Sequence, residues 1–313
     1  MSADPTPTSA GPVLAMVGLG RMGANMARRL ARGGAAVHGF DAQPDARDAL
    51  AGEPGVTLHA SLADAVAALP APRTVWLMLP AGAPSEDALS TLPSLLSRGD
   101  LVVDGANANY LESQRHAREL AAHGLRFADC GVSGGVWGLA NGYCLMFGAD
   151  DEGAARLAPL ARLLAPAPDR GWLHCGPPGS GHFVKMVHNG IEYGAMQAYA
   201  EGFALLEGKA EFELDLAAIG ELWRHGSVVR SWLLDLTVDA LADPGALDAV
   251  APYVADSGEG RWTVDEAVRQ GTPAPVIALA LMSRFSSQGK ADVANRLLSL
   301  MRKGFGGHAV KAK

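Results

Sequence analysis

A short apolar strand, Val13–Val17, runs straight into Gly18-Leu19-Gly20-Arg21-Met22-Gly23, and the helical pattern NMARRLARGG follows at once. A second apolar run, VHGF, ends just before Asp41, 23 residues after Gly18. In isolation a GxGxxG says little in a chain with 38 glycines. Strand before, helix after and an acid at that distance make it specific for a dinucleotide-binding βαβ unit. The glycines have separate tasks: Gly18 makes the tight turn, Gly20 lets a pyrophosphate reach the backbone, and Gly23 lets the helix pack on the strand. This start commits the chain to a doubly wound, mostly parallel α/β sheet of Rossmann type, with Leu19, Arg21 and Met22 in the same cofactor loop.

Asp41 closes the second strand, where a carboxylate accepts hydrogen bonds from both adenosine ribose hydroxyls and repels a 2′-phosphate. No Arg follows it directly, and Arg47 lies a turn and a half further on if the next helix has begun. The expected cofactor is therefore NAD rather than NADP. The alternative role for Asp41 is to cap the following helix.

The alternation continues with TVWLML, ending at Leu79 before Pro80-Ala81-Gly82, and with LVVD, ending at GANANY. Both loops fall at strand C-termini, where ligands bind in open α/β sheets. Asn107 offers a donor and an acceptor where nicotinamide and substrate would meet, although Asn also serves turns. A short strand then leads to Ser133-Gly134-Gly135. Two uncovered backbone amides and one hydroxyl suit a carboxylate or a polyol, and a plain glycine turn is the other reading. LARLLAPAPDRGWLHCG closes a first domain expected over residues 13–178, after a disordered lead-in over 1–12.

Lys185, His188, Asn189 and Glu192 are spaced i, i+3, i+4 and i+7, which puts an ammonium, an imidazole, an amide and a carboxylate on one helix face. Phe183, Val184, Met186, Val187, Ile191 and Met196 around them predict a largely buried helix, and Gly190 and Gly194 allow close approach by another element. Buried charge is costly unless paired or used. The reading is a catalytic helix with Lys185 and Glu192 as its proton-transfer pair, against a solvated stripe with an ordinary ion pair. Helical runs dominate from residue 179 to 313, so the second domain is expected to be all-helical. In it, SGEGRW reads as a loop before a helix start at Thr263, and Arg284 in an apolar helix is either a snorkelling side chain or a ligand clamp. Gly304, Gly306 and Gly307 should break the last helix and leave a tail.

A chain of 313 residues can bury two cores. Its net charge of -7 argues against nucleic acid as a partner, so a phosphorylated ligand needs a local cluster of cations. Three cysteines without CxxC or Cys/His spacing read as reduced, cytosolic thiols and not as a metal site. The opening MSADPTPTSAGP has neither a basic start nor an apolar core, so it is not a signal peptide. No apolar run approaches the roughly 20 residues of a membrane span. The expectation is a soluble, cytoplasmic protein without a membrane partner.

Taken together, GLGRMG, DGANANY, DCGVSGGVWGLANGYCLM and GHFVKMVHNGIEYGAMQAYAE occur in an order that resembles the decarboxylating 6-phosphogluconate dehydrogenases over nearly the whole chain. The short length resembles the NAD-preferring branch with a reduced helical domain. The resemblance implies that Lys185 is the general base and Glu192 the general acid. It also implies that Ser133, Gly134, Gly135, His188, Asn189 and Asn107 hold the sugar acid, Tyr193 and Arg284 its phosphate, and that Leu79, Pro80 and Ala81 touch the cofactor. Arg302 and His308, six apart in RKGFGGH, resemble a tail pair that reaches the neighbouring subunit's site, implying an obligate homodimer or homotetramer. One departure stands out: Ser257 replaces a phosphate-binding Lys, with Arg261 as a possible substitute. The implied reaction is oxidation and decarboxylation of 6-phosphogluconate. Glu192 separates it from a non-decarboxylating β-hydroxyacid dehydrogenase, and Lys185 with Glu192 separates it from a catalytically dead NAD-binding protein.

Overall fold

The computed structural model describes residues 11–243, 245–306 and 309–311, so most of the expected lead-in over 1–12, and His308, lie outside the described residues. The chain divides into two compact units, Met1–Lys185 and Met186–Lys313, and the long helix Ser180–Glu207 runs through the division.

In the first unit the strands are β1 (Val13–Val17), β2 (Ala36–Phe40), β3 (Val56–Leu58), β4 (Thr74–Leu77), β5 (Leu101–Asp104), β6 (Arg126–Ser133), β7 (Cys144–Ala149) and β8 (Trp172–Gly176). Among the described residues they form one sheet in the order β3-β2-β1-β4-β5-β6-β7-β8. Every pairing is parallel except β6 with β7, where Ser133 lies opposite Cys144. β4 and β5 are buried at every residue, as continuous apolar runs require of parallel strands covered on both faces. On one face Leu14, Met16 and Val103 meet Met26 and Leu30 of helix Arg21–Arg32 and Leu157 and Leu160 of helix Asp151–Leu164. On the other, Ala15, Val17 and Val102 meet Val66, Leu89 and Leu120 of helices Leu62–Ala67, Ala83–Thr91 and Tyr110–Ala122. Side chains cap several helix starts: the Ser61, Asn109 and Asp150 oxygens accept from the amides of Asp64, Leu111 and Gly153.

The second unit is helical, with Leu216–Arg224, Trp232–Leu241, Glu259–Gln270, Pro275–Ser287 and Asp292–Gly306 following the long helix. Tyr193 packs with Ala280 and Leu281, and Phe203 with Leu234 and Val238. Three expectations need correction. The helix expected from Thr263 begins at Glu259, because Gly258 takes a φ of 105° at its cap and the Thr263 hydroxyl donates back to the Glu259 carbonyl at 2.8 Å. The last helix runs through Gly304 to Gly306, since one glycine costs a helix only about 1 kcal/mol. The Ser180–Glu207 helix is not largely buried: Met186, Gly190, Tyr193 and Gly194 are, but Val184 and Met196 are exposed and Ile191 is 62% exposed.

At the sheet edge, His38 Nδ1 and His59 Nε2 lie 2.9 Å apart, so one ring donates and the other accepts. Burial first, and the His59 charge second, hold His38 below its ordinary value of 6.5. The folded state thus favours the neutral ring. That stability is complete above the ordinary value and is lost as pH falls below it. The thermal midpoint should therefore fall between about pH 7 and pH 5, and His38→Gln should flatten that dependence in a calorimetric scan series.

Candidate functional site

The dinucleotide loop has the geometry its glycines require. Gly18 sits at φ 92°, and a Cβ there would lie 2.5 Å from the Met78 carbonyl oxygen and 3.0 Å from Leu79 Cδ2. At Gly23 a Cβ would overlap the Gly18 oxygen, whereas at Gly20 it would meet nothing within 4 Å. The helix that follows, Arg21–Arg32, has neither a side-chain cap nor an acid in its first turn. Its uncapped amides and open approach over Gly20 fit a pyrophosphate, so the residues present suit a nicotinamide dinucleotide.

Asp41 Oδ2 accepts from the Leu19 amide at 2.7 Å and Oδ1 from the Gln43 amide at 2.8 Å. The carboxylate thereby ties the cofactor loop to the end of β2. Arg47, in helix Pro44–Asp48, reaches back to donate to the Asp41 carbonyl at 2.6 Å. The sequence reading placed this cation at a distance; the short helix brings it to the acid.

Pro80 and Ala81 are exposed after β4, and the Pro80 carbonyl accepts from the Ser85 hydroxyl at 2.8 Å. Asn107 is exposed after β5. Ser133 ends β6, and Gly134 and Gly135 follow with φ of 130° and 51°, a conformation open to glycine that presents successive amides. Burial raises the Cys144 thiol, and the charge of Lys185 works against that rise. Since Cys144 is paired with Ser133, the first unit brings the Lys185 ammonium to the strand end where the glycine pair begins.

In the second unit His188 Nδ1 lies 3.0 Å from Asn189 Oδ1 and 3.9 Å from Glu192 Oε2. The Glu192 side chain is 42% exposed, so the burial expected of this helix does not extend to it. Asn189 Nδ2 donates to Glu259 Oε1 at 2.9 Å, and Glu259 is buried. No sequence pattern points to this partner, because Glu259 sits in the stretch that reads as a loop.

Tyr193 is the centre of a cationic group. Arg284 Cζ lies 3.4 Å from its ring centroid, and Arg284 Nη1 donates to the Ala255 carbonyl at 2.9 Å. The Tyr193 hydroxyl lies 3.4 Å from both Asp256 Oδ1 and Ser257 Oγ. Arg261 pairs with Asp256 and lies 4.5 Å from the Phe285 centroid, with Lys290 Nζ 5.0 Å from the same ring. Burial disfavours the charged form of Asp256, but the Arg261 bond and the Gly258 amide outweigh it and hold the carboxyl below its usual range. Arg261 is thus already neutralised, which weakens it as a replacement for the missing Lys; Lys290, which sequence reasoning passed over, adds a cation. Arg302 is exposed on the last helix.

Residues 13–168 match the NAD binding domain of 6-phosphogluconate dehydrogenase and residues 181–309 its C-terminal domain. The chain is 41% identical over 301 residues to the Haloferax volcanii 6-phosphogluconate dehydrogenase, NAD(+)-dependent, decarboxylating, covering 96% of this chain and 99% of that relative. The solved Plasmodium falciparum 6-phosphogluconate dehydrogenase, described with NADP+ and with 6-phosphogluconate, superposes with a TM-score of 0.82 at 24% identity over 96% of this chain and 66% of that one. Mycobacterium tuberculosis 3-hydroxyisobutyrate dehydrogenase superposes with a TM-score of 0.70 at 24% identity over 90% and 94% of the two chains. These two structural likenesses show a shared fold.

Because a methyl at Gly23 must displace the Gly18 carbonyl, Gly23→Ala should weaken NAD binding at least about tenfold in a calorimetric titration.

Proposed function

We propose, on the premise that this chain belongs to the 6-phosphogluconate dehydrogenase family, that it oxidises and decarboxylates 6-phospho-D-gluconate to D-ribulose 5-phosphate and CO2 with NAD as cofactor. The observation that carries this reading is the uninterrupted helix Ser180–Glu207, which holds Lys185 and Glu192 two turns apart on one face.

Lys185, uncharged, takes the proton of the C3 hydroxyl; desolvation and neighbouring charge are the forces that can lower a lysine pKa enough for this. A nicotinamide dinucleotide held by Gly18 to Gly23 would supply the acceptor for the C3 hydride. Lys185, now protonated, polarises the C3 ketone while the C1 carboxylate leaves as CO2, which stabilises the developing enediolate. Glu192, in its protonated form, then delivers a proton to C2, the carbon that becomes C1 of ribulose 5-phosphate. With 42% of its side chain exposed, Glu192 relies on bound substrate to exclude water from it.

Ser133, Gly134, Gly135, Asn107, His188 and Asn189 hold the hydroxyls and carboxylate of the sugar acid. Asn189 is oriented for this by its bond to Glu259. Tyr193, Ser257 and Arg284 take the phosphate, with Lys290 contributing charge and Arg261, already paired with Asp256, contributing less. For the cofactor, Asp41 binds the adenosine ribose, Gly18 to Gly23 the pyrophosphate, and Leu79, Pro80, Ala81 and Asn107 the remainder.

The chain acts as an oligomer, a homodimer or homotetramer. Helices Pro275–Ser287 and Asp292–Gly306 leave Val276, Leu279, Leu297, Leu298 and Met301 exposed, Leu279 at 68%, apolar side chains that a second copy could cover. Arg302 and His308 complete the neighbouring site. Among the described residues no helix is long and apolar enough to cross a membrane.

The test is turnover of 6-phosphogluconate with NAD. Lys185→Ala should lower kcat about 10²- to 10⁴-fold, and near-wild-type turnover in that variant would overturn the mechanism. Asp41→Ser should narrow the preference for NAD over NADP by at least about tenfold in kcat/KM, since it removes a charge-assisted acceptor and leaves Arg47 to meet a 2′-phosphate.

A further inference from the structure

Helix starts are ordinarily capped by the residue just before them. Gly179, which precedes the Ser180–Glu207 helix, has no side chain to do so. The cap comes from β6, 50 residues earlier in the chain: Asp129 Oδ1 accepts from the Gly179 amide at 2.5 Å and Oδ2 from the His182 amide at 2.7 Å. Asp129 is fully buried, and a carboxylate there is favoured by the partial positive charge of a helix N-terminus. Burial raises its pKa, while the charge of His182 and the two amides pull it down.

Two residues along β6, on the same face of the strand, stands Gly131. A Cβ at Gly131 would overlap Lys185 Cβ and lie 2.8 Å from Lys185 Cγ. The helix makes the reciprocal concession at Gly181, whose Cβ would lie 2.7 Å from the Asp129 carbonyl oxygen, 2.6 Å from that of Met146 and 2.8 Å from the Gly148 amide nitrogen. Backbone therefore rests on backbone, and the helix has no side-chain cushion on which to slide or roll. Helix Tyr110–Ala122 adds two further fixtures: the Ser113 hydroxyl lies 2.7 Å from His182 Nδ1, and the Tyr110 and Phe183 rings meet edge to face at 5.2 Å.

We propose that Asp129 and Gly131 are positioning residues for Lys185: the carboxylate of the first fixes the rotation and height of the helix start, and the missing side chain of the second is the space the lysine stem occupies. Neither touches substrate or cofactor. The proposal rests on the reading of Lys185 as general base only for its effect on turnover; the placement of the lysine is a property of the first unit alone.

The experiment compares Asp129→Asn and Gly131→Ala with the full-length wild type. Asparagine keeps the shape but offers one acceptor oxygen and turns an NH2 group toward a helix amide. Alanine leaves the cap intact and displaces the stem. The expected result is a loss in kcat of at least about tenfold in both variants with KM for NAD changed less than about twofold, because a displacement near 1 Å is enough to cost that much. Competitive acetylation read by mass spectrometry should report a change of at least about threefold in the reactivity of Lys185 relative to the other lysines, a signal that a purely stabilising role would not move. Wild-type kcat and unchanged Lys185 reactivity in variants that bind NAD would overturn the proposal. If Asp129→Asn fails to fold, Gly131→Ala decides alone. If the wild type does not turn over 6-phosphogluconate, the functional reading fails while the acetylation comparison still judges the placement.

Discussion

The start of the Ser180–Glu207 helix lies close against the sheet because Gly131, Gly148 and Gly181 each lack the carbon that would fill the gap. Close backbone contact of this kind fixes an element more tightly than interdigitated side chains, which can change rotamer. Its cost is a buried carboxylate, Asp129, offset by the orphan amides of the helix it receives. From that contact follow the seat of the Lys185 stem against Gly131 of β6 and the influence of its charge on Cys144, the strand partner of Ser133. A helix carrying both an acid and a base can use them on one substrate only if its own position is not free, and the sheet supplies that restraint at its first turn.

The parts of the fold legible in the sequence were those with a single physical cause. Val13–Val17 and Leu101–Asp104 are read to the residue because strands covered on both faces must be apolar throughout. β3 has three residues and lies at the sheet edge, too short to show a period. The cofactor loop was legible because each glycine answers a separate steric demand, visible as Gly18 against Met78 and Gly23 against Gly18. What failed were inferences from local composition. SGEGRW reads as a loop because glycine is a poor helix former, yet Gly260 is needed where its Cβ would strike the Tyr193 ring, and Glu259 is held inside by Asn189. The apolar residues flanking Lys185 predict burial, but Ile191, Val184 and Met196 are exposed.

Charge tells a similar story at longer range. A net charge of -7 excludes a general attraction for anions, so any anion must be met by local arrangement. Arg284, Arg261 and Lys290 gather around Tyr193 and Phe285, from positions that no linear motif links. At the other end, Arg47 is brought to the Asp41 backbone carbonyl, while the Asp41 carboxylate is taken up by the Leu19 and Gln43 amides. Both arrangements depend on short helices and turns whose register the sequence pattern does not specify.

The reaction itself is the central claim, and the fold shared with a 3-hydroxyisobutyrate dehydrogenase leaves it to be decided by products. The most direct measurement counts CO2 and NADH released in the same reaction of the purified protein with 6-phosphogluconate and NAD. The account predicts equal amounts of the two throughout the time course. NADH formed without CO2 would contradict it, and would mean that the chemistry stops at the ketone.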